Sequence, residues 1–383
     1  MTTLTPASAD DICAIIDDAC ASGGKLEIGG GFTRADFGAP GRQVERLSLR
    51  NLSGIIDYDP AELVLTAYAG THLAEIQEAV AVRGQGLSFE PYGAPGATIG
   101  GVIGAGAAGS RRVSAGGVRD HLLGFKAISG RGDRFLGGAK VVKNVTGYDL
   151  PKLMCGAWGR LAVMTEVTLK VLPRPPEQLT LAWHGLGDDA ALALLRASLR
   201  LPADVAAAAY WPLTSGRPSL AVVRLEGVGP SIAARAARLR EAFEAHGSPE
   251  DLSATAAETL WSGLVAGAAL QGDVPLWRIL LPSGQTAGFV RRLAGFGAVW
   301  IADWAGGLIW AALDGHEDAL RAAAQDVGGH ATLASAPAAV RARIPALHPQ
   351  PPAIEALSAR IRRAFDPLGV FEINRFLDTP HAN

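Results

Sequence analysis

Residues 91–110 read PYGAPGATIGGVIGAGAAGS, twenty positions with no charge and seven glycines. A tract so poor in side chains is expected to add little to a core. It suits close approach of backbone N–H groups to a bulky polar ligand, because glycine lacks a Cβ and reaches positive φ. Successive N–H groups in such a loop form an anion-binding concavity. Basic residues follow: Arg111, Arg112, Arg119, Lys126, Arg131, Arg134, Lys140 and Lys143, against Asp120 and Asp133. A glycine cradle beside positive charge points to a ligand that carries phosphate. Strand-like apolar segments on both sides argue against a solvated, flexible loop.

The tract also contains Gly104-x-Gly106-x-x-Gly109, the GxGxxG pattern of dinucleotide folds. That pattern needs a strand before it and a helix after it. Here prolines and glycines precede it, and SRRVSAGGVRD (110–120) does not read as a helix, so a Rossmann site is not expected.

Upstream, Ser8 and Asp11 make a capping-box start for a helix that Gly23-Gly24 stops. A short strand, 25–28, runs into Gly29-Gly30-Gly31-Phe32-Thr33, a second place where backbone can meet phosphate. Strands follow at 47–51, 55–58 and 63–69, the last with Leu63, Leu65, Ala67 and Ala69 on one side. Thr71 is the expected N-cap of a helix carrying Leu73, Ile76 and Val80.

Downstream, 122–129 reads as a strand, 130–134 as a hairpin turn and 161–172 as a long strand that Pro173, Pro175 and Pro176 end. Lys143, Asn144, Tyr148 and Asp149 form a polar loop between them. From 178 the texture changes to strands alternating with helices. The second half of this stretch has the order β-α-β-β-α-β of a ferredoxin-like unit, and the first half looks like a partial copy. Its tryptophans (Trp261, Trp277, Trp300, Trp304 and Trp310) read as core, with Trp304 beside Gly306-Gly307 the best placed to face a ligand. A helix with Ile354, Leu357, Ile361 and Phe365 and a turn at 366–371 close the chain. The fold class is therefore α+β, with domains expected at 1–176, 177–336 and a returning segment at 337–383.

Acidic and basic residues nearly balance, 37 against 35, which argues against a general nucleic-acid binder. Cys13, Cys20 and Cys155 show no metal-ligand spacing and cannot all pair, which fits a reducing compartment. The first residues carry acids where a signal peptide carries basic residues. The glycines and prolines of 91–110 argue against a membrane helix. The expected location is cytoplasmic, with contact to the inner membrane only through partner subunits.

Several segments together resemble the FAD-linked oxidases of the vanillyl-alcohol-oxidase (PCMH) type, and within them the FAD-binding subunits of bacterial glycolate oxidases. They are GGGFTRADFG (29–38), IIDYDPAELVLTAYAGTHLAEIQEAV (55–80), ATIGG (97–101), GGVRDHLLG (116–124), VVKNVTGYDLPKLM (141–154) and WGRLAVMTEVTLKVLPRP (158–175). The likeness is dense over 25–176, thinner beyond, and returns at DPLGVF (366–371). It implies a two-lobed FAD domain and a ferredoxin-like, antiparallel-sheet cap that shields the flavin ring. It implies that Gly29, Gly30, Gly31, Phe32 and Thr33 form the first pyrophosphate loop. Pro91, Gly96, Thr98, Ile99, Gly100 and Gly101 form the second. Gly104, Gly106, Ala108, Gly109, Ser110 and Arg111 run along the ribityl chain and flavin, and the Val163 backbone meets the cofactor. Arg111, Lys143 or Arg375 would place positive charge near the ring.

The chain departs from such relatives in three ways. Covalent relatives carry histidine where Phe32 stands, so FAD is expected to be non-covalent. The catalytic relatives bring histidines and a carboxylate to a metal, whereas the eight histidines here do not cluster, so no metal and no catalytic base is assigned. The tail Glu372-Ile373-Asn374-Arg375 replaces the usual Asn-Pro-Gly-Arg. The resemblance implies an enzyme subunit that handles glycolate or another 2-hydroxy acid, with a second flavin subunit and an iron–sulfur subunit as partners. Without a cluster-binding cysteine motif in this chain, electrons would leave through another protein or a diffusible acceptor. The alternatives are a self-sufficient FAD oxidase of another small hydroxy acid or alcohol, and a structural subunit that needs flavin for assembly. Lys143, Tyr148 and His121 are the residues to examine first if the chain is itself the catalyst.

Overall fold

Ser8 opens the first helix, Ala9–Ser22, through a reciprocal cap: its hydroxyl accepts from the Asp11 N–H and the Asp11 carboxylate accepts from the Ser8 N–H. Gly23, in the left-handed conformation, ends it. Ile12 and Ile16 on its inner face are fully buried. The computed structural model describes residues 2–40, 43–138, 148–214 and 216–376. Lys140, Lys143 and Asn144 lie outside the described residues.

The chain divides into two units, one of Met1–Ala108, Gly116–Arg174 and Pro349–Asn383, the other of Gly109–Ala115 and Pro175–His348. The division near 175 was legible in the prolines. The transfer of Gly109–Ala115 to the second unit was not, and that unit extends to 348 rather than 336.

In the first unit, β1 (Thr3–Leu4), β2 (Leu26–Gly29) and β3 (Glu45–Ser48) form a parallel sheet in the order β1-β3-β2. A second, antiparallel sheet runs β4-β5-β9-β7-β8. Its strands are β4 (Ile55–Asp59), β5 (Val64–Tyr68), β7 (Leu122–Ser129), β8 (Arg134–Gly138) and β9 (Ala162–Lys170). The pair β6 (Gln85–Gly86) and β10 (Leu172–Pro173) forms a separate two-stranded antiparallel sheet. Leu65, Ala67 and Ala69 are buried as the alternation predicts. The helix expected after Thr71 is Leu73–Ala81, but its N-cap is His72; the Thr71 hydroxyl instead donates to the Tyr68 carbonyl and accepts from the Gly54 N–H.

The glycine tract is not the bare loop that its composition suggests. Thr98 caps a seven-residue helix, Ile99–Ala105, its hydroxyl accepting from the Gly101 N–H at 3.4 Å, and Gly106 ends it at φ 65°. Ile99, Val102 and Ile103 form one face of this helix and are buried in the first unit's core. Gly101 and Gly104 take the other face. The GxGxxG glycines thus fall on the last turn of a helix and beyond it, which is no Rossmann arrangement. Residues 110–120 hold two single-turn helices, Arg112–Ala115 and Val118–His121, where none was expected.

The C-terminal helix, Pro352–Phe365, returns to the first unit. Ile361 and Phe365 pack on its core, whereas Ile354 and Leu357 are half exposed. The Asp366 carboxylate accepts from the N–H groups of Val370 and Phe371, which fixes the closing turn.

The second unit is built on one eight-stranded antiparallel sheet, β14-β11-β13-β12-β16-β17-β15-β18. Its strands are β11 (Glu177–His184), β12 (Val205–Trp211), β13 (Leu220–Gly227), β14 (Glu250–Asp251), β15 (Leu276–Leu280), β16 (Val299–Asp303), β17 (Leu308–Ala312) and β18 (His330–Ser335). The halves repeat one another. Each reads β-α-β-β-α-β with its fourth strand beside its first, and the halves join at the pair Tyr210 and Ala302. The first half is a full ferredoxin-like copy and not a partial one; its fourth strand has only two residues, too few to show periodicity. Helices Asp188–Ser198, Gly229–Ala242, Thr286–Gly295 and Glu317–Asp326 cover one face. Trp261 and Leu264 from the helix Ala254–Leu264 pack on the other, as part of a separate apolar cluster.

Candidate cofactor cleft

The first unit holds a cleft enclosing about 830 Å³ of open space that runs out into solvent. Three stretches build it: 28–35 after β2, 97–105 with the helix Ile99–Ala105, and 158–164 leading into β9, joined by Leu49, Ala69, Tyr92 and Arg375.

The two glycine loops lie against one another. A Cβ on Gly30 would fall 2.1 Å from the Thr98 hydroxyl, and one on Gly31 would fall 1.9 Å from the Gly96 carbonyl oxygen. Any side chain at either position would push the loops apart. Gly96 itself has φ 85°, a conformation that favours glycine. Gly104 serves differently, since a Cβ there would meet nothing within 4 Å. Its missing side chain leaves the cleft open.

Phe32 takes a left-handed conformation, φ 52°, which costs energy for a bulky residue and is held by its surroundings. Its ring packs over Gly29 and under the Arg46 guanidinium, 4.8 Å from the ring centre. Arg46 in turn binds the buried Glu27 carboxylate at 3.0 Å, and Arg375 approaches the same carboxylate at 3.7 Å. Arg375 also donates to the carbonyls of Phe37 at 3.0 Å and Arg34 at 2.5 Å, and lies over the Trp158 ring. Phe37 stacks on Trp158 with centroids 4.1 Å apart. Trp158, at φ 55°, is pinned by its N–H to the Gly104 carbonyl. The closing tail thus braces the cleft through Arg375, in spite of its unusual sequence.

Among the described residues, the N–H groups of Gly31, Phe32 and Thr33 donate to no protein acceptor. Consecutive donors at the lip of a cleft suit an anionic ligand. With the open face of Gly104 and the loop-to-loop packing, this arrangement fits the diphosphate and long body of FAD.

The sequence-predicted residues separate cleanly. Gly29, Gly30, Gly31, Phe32, Thr33, Thr98, Gly100, Gly101 and Gly104 line the cleft. Gly96 lies behind Gly31. Ile99, Ala108 and Val163 are core residues, although Ala162 and Met164 on either side of Val163 do line the cleft. Pro91 is buried next to the lining Tyr92, and Gly106 is a helix cap. Gly109, Ser110 and Arg111 belong to the second unit and do not line this cleft. There the Gly109 carbonyl accepts from the Trp304 indole at 3.1 Å, Ser110 donates to Asp303 at 2.8 Å, and Arg111 pairs with Glu226 at 3.0 Å. Of the three cations expected near a flavin, Arg375 alone among the described residues lines the cleft.

Arg34, Tyr92 and Trp158 were not foreseen. Trp158 beside Gly159 in WGRLAV was the one available signal, an aromatic residue within a segment already singled out. His121 is a packed core residue 5.3 Å from Phe89, and Tyr148 is exposed. Burial pushes the Cys155 thiol up to about 12, so it is neither thiolate nor nucleophile at neutral pH. Among the described residues no group of three His, Cys, Asp or Glu side chains can hold a metal ion, and no helix is long and apolar enough to cross a membrane.

Residues 2–135 match the model of an FAD binding domain. The chain is 35% identical over 358 residues to glycolate oxidase subunit GlcE of Escherichia coli, covering 91% of this chain and 92% of that protein. It is 31% identical over 135 residues to glycolate oxidase subunit GlcD of Bacillus subtilis, which covers 35% of this chain and 29% of that one. A solved structure of alkyldihydroxyacetonephosphate synthase aligns over 97% of this chain and 76% of its own with a TM-score of 0.66; at 11% identity this likeness concerns the fold.

Proposed function

The chain belongs to the family of FAD-linked oxidoreductases that includes glycolate oxidase subunit GlcE, and on that premise we propose that it is the FAD-carrying subunit of a complex oxidising glycolate or a close 2-hydroxy acid. The observation that carries this reading is the near full-length likeness to a subunit of such an oxidase, together with a cleft suited to FAD. When bound, FAD supplies a two-electron acceptor that can pass electrons on. The two glycine loops hold its diphosphate, and the open face of Gly104 makes room for its body. Phe32 offers carbon where a covalent link needs a heteroatom, so the cofactor is held without a bond.

Oxidation of a 2-hydroxy acid needs a base within hydrogen-bond reach of the hydroxyl. The described residues lining the cleft include no histidine, aspartate, glutamate or lysine. This favours a relay role, in which the substrate is oxidised on a second flavin subunit and electrons pass through an iron–sulfur subunit. The complex would be cytoplasmic, reaching the inner membrane through those partners. The test is affinity purification of the tagged chain from its own cells. The proposal expects more than one flavin per tagged chain, together with iron and acid-labile sulfide. A preparation of this chain alone, iron-free and fully active on glycolate, would contradict it.

A further inference from the structure

Glu27 lies within β2 and is 1% exposed, a costly place for a carboxylate unless cations pair with it. Two arginines do so. Arg46 stands opposite Glu27 in the β2–β3 register and brings its Nε to 3.0 Å from Oε2. Arg375, from the closing tail, brings its Nη1 to 3.7 Å from Oε1. One buried carboxylate thus joins guanidinium groups from distant parts of the chain.

Each of these guanidinium groups lies over an aromatic ring. Arg46 is 4.8 Å from the centre of the Phe32 ring, and Arg375 is 5.3 Å from that of Trp158. Phe32 and Trp158 both line the cleft, on two of the three stretches that build it. Both are left-handed, at φ 52° and 55°. That conformation is unfavourable for a bulky residue and persists only where its neighbours impose it. Arg375 also holds the stretch that follows Phe32, through the carbonyls of Arg34 and Phe37. On the reading that the cleft holds FAD, we propose that Glu27 is a positioning residue for the cofactor. It does not line the cleft. It fixes two guanidinium groups, and through them it sets the two strained aromatic residues of the lining. The dihedral angles of Phe32 decide how its own N–H is aimed relative to that of Thr33, since each peptide unit is rigid. Releasing Phe32 would therefore scatter the open donors of the first loop.

The experiment uses the full chain as Glu27→Gln, Phe32→Gly and the double variant, stripped of flavin and titrated with FAD by flavin fluorescence. The parent's titration tests the cofactor reading separately. Loss of the charged partner predicts FAD binding weaker by about 10- to 100-fold in Glu27→Gln. Glycine reaches the left-handed conformation without strain and gives Arg46 no ring to hold. In the Phe32→Gly background the same Glu27→Gln change should therefore cost only about threefold, the remainder passing through Arg375 and Trp158. Unchanged affinity in Glu27→Gln would overturn the proposal. So would an equal loss in both backgrounds, since Glu27 would then support the fold at large and not the conformation of Phe32. Should Glu27→Gln fail to fold, Arg46→Gln carries the same comparison, because the Arg46 side chain is 31% exposed and its loss leaves Glu27 with Arg375. A loss in the parent that shrinks in Phe32→Gly supports the proposal, and an equal loss or none overturns it.

Discussion

Gly31 and Gly104 both line the cleft, yet a side chain at each would meet a different obstacle. At Gly31 the obstacle is protein, the Gly96 carbonyl at 1.9 Å. At Gly104 it is empty space. Gly31→Ala should therefore destabilise the flavin-free chain by about 1–3 kcal/mol, the usual cost of overpacking. Gly104→Val should leave the flavin-free melting temperature close to that of the parent. It should weaken FAD binding at least about tenfold, because the side chain enters the cofactor's space. Thermal melts with and without FAD separate the two; equal flavin-free destabilisation by both would mean that Gly104 also packs against protein. Positive φ plays no part at Gly104 or Gly101, which are helical, and a Cβ on Gly101 meets only the Thr98 hydroxyl at 3.4 Å. Composition marks all these glycines alike, and only the packing tells a hinge between loops from an opening for a ligand.

At the scale of elements, the segment after β18 carries a pH-sensitive contact. His348 is buried, and its Nδ1 accepts the Ala331 N–H at 3.2 Å, which requires a neutral ring. Burial lowers its pKa first, and the charges of Arg321 and His330 lower it further. The unfolded chain then binds the proton more readily, so the contact stabilises fully above about pH 6.5, the unperturbed histidine value, and weakens as pH falls below it. His348→Asn keeps an acceptor without the titration. Its melting temperature should fall less steeply than the parent's between pH 7 and 5; parallel curves would remove His348 as the cause. Elements with strong local signals were legible in the sequence: the Ser8-capped helix, the hairpin at 130–134 and the strands of the second unit. The helix Ile99–Ala105 was hidden because glycine dominates its outer face and only Ile99, Val102 and Ile103 mark the inner one. The two-residue β14 was hidden because its identity rests on pairing with β11, a distant contact. Gly109–Ala115 joins the second unit through partners such as Asp303, Glu226 and the Ala206 carbonyl, roughly 90 to 190 residues away, which no local pattern reveals.

At the scale of the whole molecule, we propose a flavoprotein that holds FAD without a bond and whose cleft, among the described residues, is lined by no histidine, aspartate, glutamate or lysine. Acid precipitation should send all yellow colour to the supernatant, and flavin left in the washed pellet would show a covalent link that Phe32 cannot make. The central claim is the relay, and anaerobic mixing of the purified, FAD-loaded chain with glycolate tests it most directly. The flavin absorbance should stay oxidised until the partner subunits are added and then bleach. Rapid bleaching by glycolate alone would make this chain the catalyst and contradict the account.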